Sequence, residues 1–295
     1  MDTAPTDDPE PSTAVAFGSD RITVTVEPSN GGRIARLEVD GVDMLVTRDS
    51  APETHGPLAW GSYPMVPWCG RIRAGTFHFR GRRYELPLTL GRHAIHGVGF
   101  TSPWVTTACD DRSVDLELVL PSDARWPFGG VTRQHIAVVD DRVVLDLSVT
   151  ADDRPFPAAL GWHPWFRKPD RLDVRPTAMY RRDDDWITIG ELGPVTPPPW
   201  DDCFRNDAPV RLTIDGVHLE LWSPCTTWVV YDMPPHATCV EPQTGPPDAL
   251  NIAPEVVGAG ATLSARFEIR VIDAAEHPAT DDDGPGDPGD AVTQR

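Results

Sequence analysis

The 295-residue sequence predicts an all-β fold, a large antiparallel β-sandwich that occupies residues 13–273 as one domain. Apolar residues alternate with polar ones through most of this range, which is typical of strands with one buried face. The 32 prolines and 24 glycines interrupt every stretch that could otherwise form a helix of useful length. Because strand-like stretches do not alternate with helical ones, a parallel α/β sheet is not expected.

Six stretches carry this alternation, and three of them read as pairs of strands joined by a turn. In chain order they cover residues 22–28, 76–88 with a turn at Gly81, 113–121, 135–151 with a turn near Asp140, 210–223, and 261–272. The stretch at 210–223 is the clearest hairpin, because Asp215-Gly216 suits a two-residue type I′ turn.

The composition excludes several classes of protein. A formal net charge of −19 opposes binding to nucleic acid or to an anionic membrane. Residues 1–12 and 274–295 are acidic, rich in Pro and Gly and poor in large apolar residues, so we expect two disordered tails. No apolar run could span a membrane, and the N-terminus has no secretory signal. The five cysteines are widely spaced without a CxxC pair, which favours reduced thiols, no structural zinc and a cytoplasmic location.

Four segments between the alternating stretches concentrate polar and aromatic residues, and we expect them to be loops. They cover residues 60–75, 91–104, 160–168 together with 197–206, and 239–251. In β proteins, functional side chains are often carried on loops that a rigid scaffold positions. The sequence contains no phosphate-binding glycine loop, no GxSxG elbow and no HExxH motif, so these four segments hold the candidate chemistry.

His163 lies in the stiffest of these segments, between Trp162 and Trp165 and directly before Pro164. The proline biases the backbone of His163 toward an extended conformation. One interpretation is a proton donor on an aromatic surface that stacks against a sugar. The other is a partly buried histidine that its neighbours hold in place.

Glu241 follows an apolar strand and is followed at once by Pro242, with Gln243 next. A carboxylate fixed in this way at a strand end is well placed to act as a base. The alternative is a glutamate that caps a turn.

Three further residues are candidates for binding hydroxyl groups. Arg71 has a planar fork of donors that can hold two hydroxyls, and an aspartate can accept from vicinal hydroxyls. Asp201 and Asp202 are adjacent, so on an extended chain only one of them faces a given cleft. His93 and His96 would face opposite sides of a strand, which makes them a poor metal site and favours a single hydrogen-bonding histidine.

Taken in chain order, these segments resemble the aldose 1-epimerase (galactose mutarotase) family over about residues 15–272. The matching pieces are GGRIARLEVDGVDML, CGRIRAGTFHFRGRRYELP, HAIHG followed by SPW, ALGWHPWF, DDCF and VEPQTGPPDALN. Two departures are visible: Cys69-Gly70 stands where the family often has Asn before the arginine, and Trp165 replaces a tyrosine.

The resemblance implies a β-supersandwich that interconverts the α and β anomers of a free aldose such as glucose or galactose, without a metal or organic cofactor. It implies Glu241 as the general base and His163 as the general acid, and it requires that His163 can be an imidazolium near neutral pH. It also implies that a set of side chains holds the monosaccharide. These are Arg71, His96, Asp201 (or Asp202 if the register is shifted by one), Gln243 and the apolar surface of Trp162 and Trp165.

Other functions stay open on the sequence alone. A non-catalytic carbohydrate-binding or sensing protein would need the aromatic residues, Arg71 and Asp201, but not both Glu241 and His163. A hexose-6-phosphate mutarotase, a glycosidase that uses Asp201 and Glu241, and a purely structural β domain are further alternatives. A monomer or a homodimer is expected, with a monosaccharide as the partner.

Overall fold

The computed structural model describes residues 14–276, except the side chains of residues 53–55. The predicted tail at 1–12 lies outside the described residues, as does most of the tail predicted at 274–295. Residues Ala274–Glu276 of the latter form one 3-10 turn. The described chain is almost entirely strand, and α1 (Ala249–Ile252) is its single α-helix. Within the described part of the chain, no helix is long and apolar enough to cross a membrane.

Twenty-five strands run along the described residues, most of them four to nine residues long. The first half comprises β1 (Val15–Gly18), β2 (Ile22–Glu27), β3 (Arg33–Val39), β4 (Val42–Asp43), β5 (Ser62–Met65), β6 (Arg71–Ile72), β7 (Thr76–Phe79), β8 (Arg82–Glu85), β9 (Ala94–Ile95), β10 (Val105–Cys109), β11 (Ser113–Val119), β12 (Val131–Val139) and β13 (Arg142–Thr150). The second half comprises β14 (Phe156–Ala158), β15 (Gly161–Arg167), β16 (Arg171–Asp173), β17 (Ala178–Arg182), β18 (Thr188–Gly193), β19 (Asp201–Arg205), β20 (Val210–Ile214), β21 (Val217–Trp222), β22 (Thr227–Tyr231), β23 (Ala237–Gln243), β24 (Glu255–Val257) and β25 (Thr262–Ile272). Further 3-10 turns lie at Pro28–Asn30, Glu53–Leu58, Arg73–Gly75 and Gly99–Thr101.

Two large sheets contain most of these strands. The larger has eleven strands in the order β1-β2-β3-β5-β15-β23-β22-β19-β17-β18, with β4 paired to β3 outside this path. The smaller has eight strands in the order β10-β11-β12-β13-β25-β21-β20-β16. The pairs β6–β9, β7–β8 and β14–β24 form three two-stranded sheets. The strand pairs are antiparallel, which confirms the predicted antiparallel all-β fold.

The main core lies between the two sheets. Phe267 of the smaller sheet contacts Trp162 and Trp228 of the larger one, with ring centroids 5.9 and 6.3 Å apart. All three side chains are at most 1% exposed. Burying an apolar side chain of this size contributes about 1.5–3 kcal/mol, so the alternation seen in the sequence accounts for the packing of the two inner faces.

The hairpin predicted at 210–223 is confirmed. Strands β20 and β21 pair in register around Asp215 and Gly216, which have φ values of 46° and 80°. Two successive positive φ values are what a type I′ turn requires.

The prediction of loops at 160–168, 201–206 and 239–243 is wrong, because β15, β19 and β23 occupy them. Prolines in the first and third of these segments argued against central strands. The structure accommodates them at a break in the ladder: the pairing of β15 with β23 passes from Gly161–Gln243 to Trp165–Cys239. Pro164 and Pro242 both lie within this gap, and each stays in register with the strand on its other side, Pro164 opposite Ser62 of β5 and Pro242 opposite Trp228 of β22.

Candidate active site

The candidate site lies on the face of the larger sheet that points away from the main core. Successive side chains of a strand point to opposite faces, so each central strand contributes to both sides. In β15, Trp162 belongs to the core while His163 lines a pocket on the opposite face. In β23, Val240 belongs to the core while Glu241 lines the same pocket.

Glu241 and His163 meet at the bottom of this pocket. The register pairs Gly161 with Gln243 and Trp165 with Cys239, so His163 lies opposite Glu241 midway between them. His163 Nε2 is 3.2 Å from Glu241 Oε1, and the side chains are only 8% and 2% exposed. Gln243 Nε2 donates a hydrogen bond of 3.1 Å to the other oxygen, Glu241 Oε2. The structure thus brings the two predicted catalytic residues into direct contact, with Gln243 orienting the carboxyl group.

Burial disfavours charge on both partners. It raises the pKa of Glu241 well above its usual range, and the nearby Asp201 raises it further. Burial, together with a smaller effect of the positive charge of Arg33, lowers the pKa of His163 to about 3. Burial thus opposes the imidazolium that the resemblance requires of His163 near neutral pH. Because burial opposes charge on both groups, the pair favours a carboxylic acid and a neutral imidazole over the two ions.

Aromatic rings fix the plane of the His163 imidazole. Tyr63 of β5 stacks on it at 4.9 Å and an interplanar angle of 27°, and Trp165 stacks on it at 5.4 Å and 10°. The ring of His96 meets it edge-on at 4.9 Å and 90°. The imidazole therefore has little freedom to rotate, and its Nε2 stays directed at Glu241.

Arg71 and His96 reach the pocket from the small sheet β6–β9. Gly70 makes two hydrogen bonds with His96. Its carbonyl oxygen accepts from the backbone N–H of His96 at 3.0 Å, and its own backbone N–H donates to His96 Nδ1 at 3.3 Å. Burial lowers the pKa of His96 well below its usual value, so the ring is neutral. With Nδ1 accepting, the ring proton lies on Nε2, which makes His96 a hydrogen-bond donor to a ligand.

His93 serves a different purpose. Its Nδ1 accepts a hydrogen bond of 3.1 Å from the N–H of Ala74, and it does not line the pocket. His93 and His96 thus have separate partners, in agreement with their treatment as a poor metal pair.

The two adjacent aspartates differ in their partners. Asp201 pairs across the ladder with Tyr231, and both line the pocket. Burial raises the pKa of the Asp201 carboxyl, while the charge of Arg71 opposes the rise. Asp202 Oδ1 instead accepts a hydrogen bond of 2.5 Å from Arg182 Nε. Asp202 also lines the pocket, but its pairing with Arg182 leaves Asp201 as the carboxylate more available to a ligand.

The assignment of Trp162 to sugar binding is corrected by the structure. The side chain is fully buried between the sheets, where its Nε1–H donates to Gln134 Oε1 at 3.1 Å. Period-two alternation sends it to the core because His163 faces the pocket. Trp165, two residues after His163, lines the pocket instead.

The pocket has a volume of about 240 Å³. This is below the roughly 300–1,000 Å³ of sites for drug-sized ligands and suits a ligand of one ring. Several lining residues were not found from the sequence: Tyr63, Arg182, Trp186, Thr188 and Tyr231. Trp186 lies in the turn between β17 and β18, with the Arg182 guanidinium 3.7 Å from its ring centroid. Its position depends on a turn within the charged run RRDDD, and no signal in that run indicated a ligand contact.

One group of side chains near the pocket has metal-ligating types. A ligand atom each from His163, Cys239 and Glu241 lies within 4.8 Å of the others. Burial raises the pKa of the Cys239 thiol well above its usual value, which disfavours the thiolate that a metal would need. The direct contact between His163 and Glu241 is better explained by a shared proton.

The fold and the site together define a class of protein: a two-sheet β-sandwich with a small polar pocket and a buried carboxyl–imidazole pair on one sheet face. The chain belongs to the aldose 1-epimerase family, whose sequence model matches residues 18–269.

Individual relatives agree with this family at low identity. The chain is 26% identical to the uncharacterized protein YphB of Escherichia coli K12 over 155 residues, which is 50% of this chain and 51% of YphB. It is 30% identical to the uncharacterized protein YihR of the same organism over 100 residues, 33% of this chain and 32% of YihR. The matched segments thus span about half and a third of those relatives.

Solved structures share the fold. A GalM/aldose epimerase homologue from Caenorhabditis elegans superimposes with a TM-score of 0.76 at 16% identity, covering 88% of this chain and 99% of that one. A galactose 1-epimerase from Lactobacillus acidophilus NCFM superimposes with a TM-score of 0.72 at 16% identity, covering 88% and 94%. These similarities confirm the galactose mutarotase-like supersandwich.

Proposed function

We propose that this protein is an aldose 1-epimerase that interconverts the α and β anomers of a free, uncharged aldose. The observation that carries the proposal is the 3.2 Å contact between His163 Nε2 and Glu241 Oε1 at the bottom of a pocket of single-ring size. A carboxyl group and an imidazole in contact can pass protons to and from two neighbouring oxygen atoms, and anomer interconversion needs that.

The reaction requires two proton transfers around the anomeric carbon. The Glu241 carboxylate takes the proton of the anomeric hydroxyl, and the His163 imidazolium gives a proton to the ring oxygen. The C1–O5 bond breaks as the anomeric C–O bond becomes a carbonyl. Rotation about C1–C2 presents the other face of the aldehyde. The same two transfers in reverse close the ring, so no proton is gained or lost overall.

The preferred charge state of the pair fits the open-chain intermediate. Ring opening converts a carboxylate and an imidazolium into a carboxylic acid and a neutral imidazole. Burial favours this uncharged state, since it raises the pKa of Glu241 and lowers that of His163. A site that stabilises the product of the difficult step more than the closed sugar lowers the barrier to ring opening.

Three side chains are suited to hold the sugar hydroxyls in this pocket: Arg71, His96 with its Nε2 proton, and Asp201. An uncharged sugar is favoured over a sugar phosphate because other arginines near the pocket already have acidic partners. Arg182 binds Asp202, Arg73 binds Asp183 at 2.6 Å, and Arg92 binds Asp185. Paired arginines offer little charge to a phosphate group.

Polarimetry on freshly dissolved α-D-glucose and α-D-galactose tests the proposal. The wild type is expected to speed the approach to the same final rotation, and Glu241→Gln and His163→Asn are each expected to lose at least about 10²-fold in rate. His93→Asn is the matched control, because His93 is also buried but does not line the pocket. It is expected to retain the wild-type rate.

Two other outcomes would replace the proposal. Acceleration with hexose 6-phosphates alone would show that the substrate is phosphorylated. No acceleration with any of these sugars, together with binding detected by calorimetry, would identify a carbohydrate-binding protein without the epimerase activity.

A further inference from the structure

Arg33, the first residue of β3, is a buried cation close to the catalytic pair. It is 0% exposed. Its guanidinium donates four hydrogen bonds, and each of them ends on a backbone carbonyl oxygen: those of Asn30, Pro57, Trp60 and Phe100, at 2.8–3.2 Å. Carbonyl groups satisfy the donors but carry no net charge, so the positive charge of Arg33 is not cancelled by these partners.

A single aromatic ring links this cation to the proposed acid. Arg33 Cζ lies 5.2 Å from the centroid of the Tyr63 ring. The same ring stacks on His163 at 4.9 Å. Tyr63 is fully buried, so the space between the Arg33 guanidinium and the His163 imidazole excludes water. The charge of Arg33 is therefore poorly screened from the imidazole.

We propose that Arg33 is a positioning residue that acts through its charge on His163, adding to burial in disfavouring the imidazolium. When the imidazolium forms during turnover, the same charge makes it a stronger acid toward the ring oxygen of the sugar. This inference rests on the proposed function in one respect, the role of His163 as the acid. Its effect on the protonation of His163 does not depend on a substrate.

The other groups that face His163 leave Arg33 as the cation acting from behind the ring. Glu241 on β23 would favour the imidazolium when ionised. Burial raises the pKa values of Tyr63 on β5 and Cys239 on β23 well above their usual range, so both are uncharged. His96, after β9, is neutral because burial lowers its pKa. Trp165 carries no charge.

Two further pairs of charged residues lie near His163 or Arg33, and within each pair the two charges oppose each other. Arg71 and Asp201 lie across the pocket and oppose each other. Near Arg33 itself, Glu27 and Arg48 form an ion pair of 2.9 Å, so their effects on Arg33 oppose each other.

The test is the titration of His163 by NMR in the sugar-free protein, with ¹⁵N- and ¹³C-labelled histidine assigned through His163→Asn. Arg33→Met removes the charge and keeps an apolar stem, whereas Arg33→Lys keeps the charge. Neutralising Arg33 is expected to raise the midpoint of His163 by about 1 pH unit, from Coulomb's law at roughly 10 Å and an effective dielectric constant near 20. Arg33→Lys is expected to leave the midpoint within a few tenths of a unit of the wild-type value.

An unchanged midpoint in Arg33→Met overturns the inference, as does an equal shift in Arg33→Met and Arg33→Lys, which would indicate a purely structural role. Circular dichroism and thermal unfolding establish that each variant is folded. If Arg33→Met does not fold, Arg33→Gln replaces it, since its amide can still donate to two of the carbonyls. If only Arg33→Lys folds, its His163 midpoint is compared with that of the wild type. A shifted midpoint rejects the role of the Arg33 charge, and an unshifted midpoint supports it. Because the titration needs no sugar, its result is independent of the polarimetry, and failure of the inference can be distinguished from failure of the proposed function.

Discussion

Asp201 and Asp202 are chemically identical neighbours whose surroundings give them different tasks. The Asp201 carboxyl faces the pocket, where the charge of Arg71 acts on it. Asp202 is engaged by Arg182, in an ion pair whose carboxylate is only 6% exposed. A difference of one position along the strand thus pairs Asp202 with Arg182 and leaves Asp201 more available to a ligand.

Substitution of each aspartate by asparagine separates these tasks. Asp201→Asn is expected to raise the KM for the aldose about 10-fold, because a hydrogen bond to a charged group contributes about 1.5–3 kcal/mol and the amide retains part of it. Its kcat and thermal stability are expected to change little. Asp202→Asn is expected to lower the free energy of unfolding by about 1–3 kcal/mol, since it removes the negative charge that pairs with Arg182, with a smaller effect on KM.

Steady-state polarimetry and thermal unfolding check both variants. A large rise in KM for Asp202→Asn, with Asp201→Asn near wild type, would reverse the assignment and show that Asp202 reaches the sugar.

At the scale of single elements, local patterns predicted the hairpins well and the central strands poorly. The hairpin β20–β21 is predictable from the sequence because its turn residues, Asp215 and Gly216, are adjacent to the strands that they join. Strands β15 and β23 were expected to be loops because polar and aromatic residues concentrate there, and their place in the centre of a sheet depends on partners far away in the sequence. Without the strand at β15 to fix the alternation of its side chains, Trp162 was wrongly assigned to the sugar-binding surface.

Gly70 connects the small sheet β6–β9 to the rest of the pocket. Its φ of +62° favours glycine, and a Cβ added there would lie 2.7 Å from Pro247 Cβ. Gly70→Ala is therefore expected to displace β6, which carries Arg71, and to weaken both hydrogen bonds that hold His96. We expect kcat/KM to fall at least about 10-fold, equivalent to about 1.4 kcal/mol, together with a lower melting temperature.

Gly81→Ala is the matched control for this prediction. Gly81 also has a positive φ, +75°, but a Cβ there meets nothing within 4 Å, and it lies in the β7–β8 turn. Its backbone strain of order 1 kcal/mol is expected to lower stability without changing kcat/KM. If Gly70→Ala and Gly81→Ala have equal effects on kcat/KM, contact with Pro247 does not position the pocket.

At the scale of the whole molecule, the site depends on contacts between distant parts of the chain. His163 and Glu241 are brought together by the register of β15 with β23 in the middle of the eleven-stranded sheet. No local pattern in the sequence specifies that register, so the pairing of these two residues came from the resemblance to a family. Tyr63 and Arg33 were missed because their roles exist only once β5 lies beside β15 and β3 lies beside β5.

Placing an unfavourably buried acid at the centre of the larger sheet has a consequence for the stability of the entire fold. The pKa of Glu241 is raised above its unfolded value by burial. Its contribution to stability is therefore fully present below the unfolded pKa and is lost as the pH rises through the folded pKa. Each pH unit in this window costs about 1.4 kcal/mol, because the unfolded chain releases the proton and the folded protein retains it.

Glu241→Gln removes this dependence while keeping the shape of the side chain. Its melting temperature relative to the wild type is expected to rise between about pH 5 and pH 8, by about 2 °C or more for each kcal/mol in a protein of this size. Glu191→Gln is the control, because Glu191 is 65% exposed and its substitution is expected to give a difference that does not change with pH. A difference between Glu241→Gln and wild type that also stays constant from pH 5 to pH 8 would mean that Glu241 is already ionised in the folded protein. In that case the pair would hold its proton on His163, and its preferred charge state would match the closed sugar rather than the open one.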